Sequence, residues 1–586
     1  MYLSNLKLWN FRKFTNEDGT IDLEHPHLEV PFTSGLNVLI GENDSGKTAV
    51  IDAIKIITKT HSVEWIHLLD SDFSKDRSNL RIELIFSDLT DDEASLLPDK
   101  TVIDETTGSI SLTLVLEAQR TDDRILPYEV KANNGDLTKL DAEEKEHLKV
   151  TYLRALRDAD NDLTAKRNSR ISQILLGHEL FANGGSGKEK FEEIFSSAND
   201  QLHTWFNDTT GGNASNKSQI KDVIDNFIHA FISDEYDSDI SVSGSDIKNI
   251  LEKISIGILG LEHLGLGSMN RLFMASELLH LKKKKDGVKL CLIEELEAHL
   301  HPQAQMKVVE SLQNEDSVQF IMSTHSPNLA SKIKLDADNT SVILFKAKDV
   351  FPLTKGLTKL ESKDYKYLDN FLDVTKSNLF FAKGVIIVEG WAEDLLLPVL
   401  ANNHGKNLTK HEVSIVNVGS TAYLHFARIL MRNDGKKLNS PVVIVTDVDV
   451  KPENDWTFDA NKLEKRKHAL ESNFDDAENP NVCLCLAMNW TLEWCLFKSE
   501  ALSEMFKECC SRVHRYTIEF QKTDSNIWDE DSFRNKLSEK LINHSLDKVS
   551  IATELCQKIK ACTSPINITP TDTAYYLIKA IDFVCK

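Results

Sequence analysis

Apolar and polar positions along this chain alternate in two blocks of strand and helix patterns, with helix-rich stretches between and after them. Met1–Phe14 (MYLSNLKLWNFRKF) alternates as a half-buried N-terminal strand does. Leu36–Ile40 (LNVLI) is wholly apolar and predicts a strand buried on both faces. Ala49–Ile57 places its apolar residues at helical spacing. Asp70–Phe73, Leu80–Phe86 and Ser111–Leu116 predict further strands of the same lobe, with an acidic, turn-like stretch at Ser87–Lys100. Val150–Asp160 reads as a strand-to-helix transition carrying Arg154 and Arg157. From 161 to 250 the pattern becomes helical and polar, with Gly/Ser/Asn-rich breaks at Asn183–Gly187 and Asp208–Ser218. Gly265–Asn270 predicts a glycine-serine turn opening an amphipathic helix, Arg271–Leu281. Buried strands follow at Lys289–Glu295, Val318–Ser323 and Ser341–Phe345, and then a polar linker, Lys346–Lys376. The pattern then restarts: strand Gly384–Gly390, helix Trp391–Leu400, strand Pro441–Val450, the stretch Leu484–Leu496, and helices through Ser499–Lys586.

Length and composition narrow the class. A chain of 586 residues is too long for one core, so two to four domains are expected. No run approaches the roughly 18–20 apolar residues of a membrane span, and no signal pattern opens the chain, so the cytoplasm is the expected location. The nine cysteines form no C-x-x-C pair, which argues for reduced, buried thiols over zinc. A formal charge of −23 excludes a generally basic protein that coats nucleic acid. It leaves room for a local basic groove and for acids that ligate metal.

Candidate chemistry appears first at Gly41–Thr48 (GENDSGKT), a complete G-x-x-x-x-G-K-[ST] phosphate loop between predicted strand and helix. Gly41 and Gly46 let backbone N–H groups face a polyphosphate at a positive helix end. Lys47 reaches the β- and γ-phosphates, and Thr48 offers its hydroxyl to Mg²⁺. Lys289–Glu295 ends in two carboxylates: Glu294 fits the Mg²⁺-holding role, and Glu295 the base that orients the attacking water. His325, just past the strand Val318–Ser323, stands where it can sense a γ-phosphate. His299 and His301, at i, i+2 before Pro302, fit loop structure better than metal ligation. Gly184–Lys188 (GGSGK) lacks the first glycine and final hydroxyl of a phosphate loop and reads as a flexible loop.

In order, GENDSGKT, LGLGSMN, LCLIEELEAHLHPQ and STHSPNL resemble the ATPase heads of the ABC/SMC/RecF class. The resemblance implies two heads sandwiching ATP, with Gly265–Asn270, Ser268 among them, completing the phosphate site of the other head. Asn43 and Ser45 join Gly41, Gly46, Lys47, Thr48, Glu294, Glu295 and His325 in that site. Two departures, Glu294 for the usual aspartate and Leu296 for proline, keep both carboxylates but leave the hydrolysis rate open, slow turnover with ATP as regulator included.

The second block brings carboxylates to strand ends: Glu389 and Glu393 at a strand-to-helix junction, and Asp447 and Asp449 at the end of PVVIVTDVDV. If that strand continues, period two puts both aspartates on one side. Such acids repel one another unless a cation lies between them, and hard oxygen ligands select Mg²⁺ or Mn²⁺. Glu493 opens a following helix, and Lys548 lies in DKVSIATEL. The run VIIVEG…E…TDVDV resembles a TOPRIM domain, and its fusion behind an ABC-type head resembles the OLD (overcoming lysogenization defect) endonucleases, including the Gabija nuclease component and retron-linked OLD effectors. The resemblance implies metal ligation by Glu389, Glu393, Asp447, Asp449 and Glu493, and charge stabilisation by Lys548.

The expected fold is α/β: an ABC/SMC-like ATPase domain (1–160 and 254–350) with an inserted helical dimerisation arm (161–253), a linker (351–380), a TOPRIM domain (381–500) and C-terminal helices (501–586). The expected function is an ATP-regulated, divalent-metal-dependent DNA endonuclease or nickase in anti-phage defence. The expected partners are DNA, a second copy through heads and arm, and a helicase-like or reverse-transcriptase-linked protein. A topoisomerase would need a tyrosine nucleophile in a DNA-gate module that this sequence does not display. The remaining alternative is a non-cleaving ATP-dependent DNA clamp.

Overall fold

The computed structural model describes residues 1–586 except 62–65, 122–123, 155–164, 166–168, 177–178, 182–184, 208–213, 232–234, 236, 239–245, 260–264, 284–286, 299, 454–455, 475–476, 478 and 586. Arg157, Gly184, Lys284, Lys285, His299 and most of the predicted break at 208–218 lie outside the described residues.

Among the described residues nine strands precede the helical insertion: β1 (Tyr2–Trp9), β2 (Leu28–Pro31), β3 (Leu36–Gly41), β4 (Asn79–Ser87), β5 (Thr101–Ile103), β6 (Ile110–Gln119), β7 (Val130–Asn133), β8 (Leu137–Lys139) and β9 (Thr151–Leu153). After it come β10 (Leu290–Ile293), β11 (Gln319–Thr324), β12 (Thr340–Lys346) and β13 (Asp349–Pro352). They form two sheets. One is antiparallel, in the order β2-β1-β4-β6-β7-β8, with β5 on β6. The other runs β13-β12-β3-β11-β10-β9 and is parallel except for β13. A third, wholly parallel sheet has the order β15-β14-β16-β17, from β14 (Gly384–Val388), β15 (Val413–Asn417), β16 (Val442–Asp447) and β17 (Val482–Ala487).

The apolar runs are explained by burial on both faces. In β3, Leu36, Val38 and Ile40 face one core, and Leu39 faces the core shared with the antiparallel sheet and the helix Lys47–Thr58. In β14, Val385 and Ile387 join the first of those cores, and Ile386 and Val388 pack against the C-terminal helices. One hydrophobic core thus runs from the head sheet into the third sheet. Residues of the stretch read as a polar linker, Leu353, Leu360, Tyr365, Leu368, Leu379 and Phe380 among them, fill the space between.

Several local expectations change, among them Gly184–Lys188, read as a loop but helical from Ser186, and the break at 208–218, helical from Ala214. Asp70–Asp72 is a 3-10 turn, not a strand: the Asp72 carboxylate accepts the Leu69 N–H and binds Arg12, which fixes a turn. The helix expected from Arg271 begins at Leu266, so Gly267, Ser268 and Asn270 lie within it. β16 stops at Asp447, and Asp449 has φ 56°, so the two aspartates do not share one continuous strand. Among the described residues no helix is long and apolar enough to cross a membrane.

Candidate functional site

Two clusters of charged side chains stand at the carboxyl ends of parallel strands, where open α/β sheets take ligands. The first follows β3. Gly41 (φ 147°) and Gly46 (φ 106°) shape the turn into the helix Lys47–Thr58. A Cβ on Gly41 would lie 2.4 Å from the Phe345 carbonyl oxygen, and one on Gly46 2.4 Å from Phe14 Cζ, so both positions exclude side chains. Lys47 is buried, and its Nζ donates to the carbonyls of Gly41 (2.9 Å) and Glu42 (2.6 Å) and to Ser45 Oγ (3.1 Å). Burial, helped by Lys13, pulls its ammonium down to about 8 against the pull of Glu295, Glu297 and Glu42. The loop therefore holds its own cation where a phosphate would take it. Asn43 and Thr48 are exposed on the loop and first helical turn.

Facing this loop are the ends of β10 and β11. Glu294 Oε2 accepts from the Tyr152 hydroxyl at 2.6 Å. Glu295 adopts a left-handed backbone (φ 45°), and its Oε1 lies 3.9 Å from His325 Nε2. Burial first, and then Lys47, hold the His325 imidazole below its ordinary value. Glu297, which sequence reasoning did not single out, anchors this corner: its carboxylate accepts the His325 N–H (2.6 Å) and the Thr324 hydroxyl (2.9 Å). Ser268 is placed differently. It bonds to Gly265 O and to Arg271, neither of them in the phosphate loop.

The second cluster follows β14, β16 and β17. Glu389 directly follows β14, and Glu393 sits in the first turn of the helix Trp391–Asn403. Asp447 ends β16, with Asp449 beyond it, its N–H on the Trp490 carbonyl at 3.2 Å. Glu493 is buried in the first turn of the helix Leu492–Lys498. Lys548, the first residue of the helix Lys548–Ala561, meets Glu493 Oε2 at 2.9 Å.

Electrostatics ties the six together. Burial raises Asp447 well above its ordinary value, and Glu393 and Glu493 add to the rise. Burial and then Glu493 push Glu393 up to about 7. Glu389 is raised by burial, a shift that its hydrogen bond from Thr446 opposes. Burial would lower Lys548, but Glu493, Asp447 and Glu393 outweigh it and hold the ammonium above its usual value. Asp449 is also raised by burial, with Arg466 pulling the other way.

The donor set fits hard divalent cations: carboxylate oxygens, crowded enough to raise one another, with one ammonium ion-paired to them. As the side chains stand, no three His, Cys, Asp or Glu groups among the described residues are arranged to hold an ion. Two bonds give the reason: Glu389 turns to Thr446 and Glu493 to Lys548. Thr446, Arg466 and Tyr423, whose hydroxyl is raised by burial beside Thr446 and Glu389, complete this neighbourhood. No spacing in the sequence marks them. His301, as expected, is structural: it caps the helix Pro302–Gln313 through Gln303 N–H.

Two family models match this chain. Residues 36–331 match AAA_21, the AAA-domain model described with the AbiEii toxin of the type IV TA system. Residues 380–449 match the overcoming lysogenization defect protein-like TOPRIM domain. Two curated relatives are named Endonuclease GajA, from two strains of Bacillus cereus. One is 20% identical over 95% of this chain and 96% of its own length, the other 24% over 77% and 75%. The solved C-terminal region of the Burkholderia pseudomallei OLD protein is 22% identical, with TM-score 0.25, over 35% of this chain and all of its own. An AAA-type ATPase domain joined to an OLD-like TOPRIM domain places this chain in the OLD family of nucleases.

Proposed function

We propose that this chain is an ATP-regulated, divalent-metal-dependent DNA endonuclease or nickase acting in anti-phage defence. The observation that carries the reading is the crowding of Glu389, Glu393, Asp447 and Glu493 around Lys548 at the carboxyl edge of a parallel sheet. Mg²⁺ or Mn²⁺ held among Glu389, Glu393, Asp447, Asp449 and Glu493 would supply an activated water and neutralise the leaving 3′-oxygen of an in-line displacement. Lys548 would then turn from Glu493 to the non-bridging oxygens of the scissile phosphate. Thr446 fixes the Glu389 carboxylate, and Arg466 offers a second positive charge beside Asp449.

At the head, Lys47 would exchange its carbonyl partners for the β- and γ-phosphates, with the N–H groups of Gly41–Thr48 around them. Thr48 and Glu294 would hold the magnesium, Glu295 would orient the attacking water, and His325 would register the γ-phosphate. Ser268, turned away from this loop, fits a nucleotide bound to a second copy's head.

The test is cleavage of supercoiled plasmid with Mg²⁺ or Mn²⁺, with and without ATP. Metal-dependent nicks or breaks support the reading; intact plasmid under every metal and nucleotide condition rejects it. A non-cleaving clamp is the second reading, favoured by the absence of a ready-made ion cage among the described acids. It requires retained DNA binding without any cleavage.

A further inference from the structure

The two clusters are joined through one buried side chain. Lys346 is the last residue of β12, whose register on β3 pairs Phe345 with Gly41. Its Nζ donates to Glu42 Oε1 at 2.9 Å and to the Ala382 carbonyl at 2.5 Å. Glu42 is the second residue of the phosphate loop. Ala382 lies just ahead of β14, the strand that delivers Glu389 to the carboxylate cluster. Lys346 is only 6% exposed, and burial holds its ammonium below the usual lysine value while Glu42 pulls it back up. A buried ammonium with one carboxylate partner follows that partner, because leaving it unpaired is costly.

Glu42 is also gripped from the other side. Its backbone carbonyl accepts from Lys47 Nζ at 2.6 Å. A polyphosphate in the loop would draw the Lys47 ammonium away, leaving Glu42 with Lys346 on its carboxylate and the Ser45 N–H on its carbonyl. A ligand shifts a second site only through contacts that differ between the two states, and this contact differs. Neighbouring packing gives the loop little freedom to absorb the change locally: Phe345 closes on Gly41, Phe14 on Gly46, and Lys13 Nζ bonds the carbonyls of Asp44 and Ala347.

We infer that Lys346 is a positioning residue that sets the start of β14, and through it Glu389, according to whether the phosphate loop is filled. The inference rests on the nucleotide-regulated nuclease reading above, but its readout does not require cutting. The experiment is hydrogen–deuterium exchange on the full chain, with and without a non-hydrolysable ATP analogue, in wild type, Lys346→Met and Lys346→Arg. In the wild type the analogue should change exchange across residues 381–389 at least about threefold. Lys346→Met should reduce that change to near unity while residues 41–58 still respond, and Lys346→Arg should restore most of it.

If Lys346→Met melts at markedly lower temperature than wild type, Glu42→Gln is the deciding variant, since it keeps the shape and removes the charge. An undiminished change at 381–389 in the deciding variant overturns the inference. So does a wild type that responds at 41–58 and not at 381–389. No response at 41–58 overturns the nucleotide reading and this inference together. Plasmid cutting, measured separately, tests the nuclease reading on its own.

Discussion

The two acid-bearing sites of this chain are electrostatic opposites. At the head, Lys47 and Lys13 crowd one loop, and Lys47 is pushed down to about 8. At the third sheet, carboxylates crowd around Lys548, and Glu393 is pushed up to about 7. Each site holds its own charge at a cost, and each would be relieved by a ligand of the opposite sign. The head is prepared for an anion, and the carboxylate cluster of the third sheet for cations.

Removing acids from the second site should break this opposition most severely. Glu389→Ala or Asp447→Ala should lower metal-dependent cutting by about 10³-fold or more, while nucleotide affinity stays within about twofold. Plasmid cleavage beside fluorescent-nucleotide titration measures both; retained cutting in either variant would reject the ligand assignment. Lys47→Ala is the mirror experiment. It should weaken nucleotide binding by about 100-fold and abolish any effect of ATP on cutting, with nucleotide-free cutting retained.

A pH series sharpens the comparison without mutation. Glu393 binds its proton up to about pH 7, and a metal ligand must lose it. At sub-saturating Mn²⁺, cutting should rise about fivefold from pH 6 to 7, reach about tenfold by pH 8 and flatten above that. Nucleotide affinity should move in the opposite sense. Without nucleotide, Lys47 loses its proton above about 8, so binding must recapture one and weakens towards pH 9. A flat cutting profile at limiting metal would remove Glu393 from the ligand set.

How legible each site was in the sequence follows from how local its geometry is. The phosphate loop is eight consecutive residues whose shape is set by two glycines, so Gly41–Thr48 could be placed from sequence directly. The parallel strands were legible for a similar reason, since burial on both faces leaves wholly apolar runs such as LNVLI and GVIIV. Asp449 was misplaced because nothing in TDVDV announces the left-handed turn after Asp447. Glu297, Tyr152, Thr446 and Arg466 were missed because each acts on a partner from another strand or helix. Only the sheet order reveals those pairs. Lys346 reads in the sequence as the start of a linker, because its role depends on β12 lying beside β3 and on its bond to the Ala382 carbonyl, neither of which is local in sequence.

The smallest expected effect concerns stability. If each site carries an unrelieved charge, neutralising that charge should stabilise the ligand-free protein. The pH windows of the two sites should be opposite. Glu393 has a folded value near 7 against 4.5 when unfolded, so its ionisation costs nothing below about pH 4.5 and its full amount above 7. Glu393→Gln should therefore raise the urea midpoint at pH 8 by the equivalent of about 1–2 kcal/mol, discounted for its partial exposure, and change little at pH 4.5. Lys47 has a folded value near 8 against 10.5, so its charge costs its full amount below 8 and nothing above about 10.5. Lys47→Met should stabilise by a similar amount at pH 7, and the gain should fade as pH climbs past 8. Saturating Mn²⁺ should erase the Glu393→Gln gain and leave that of Lys47→Met untouched, because only the first site trades its repulsion for a cation. A gain that ignores both pH and metal would mean that packing, not charge, separates the variants from wild type.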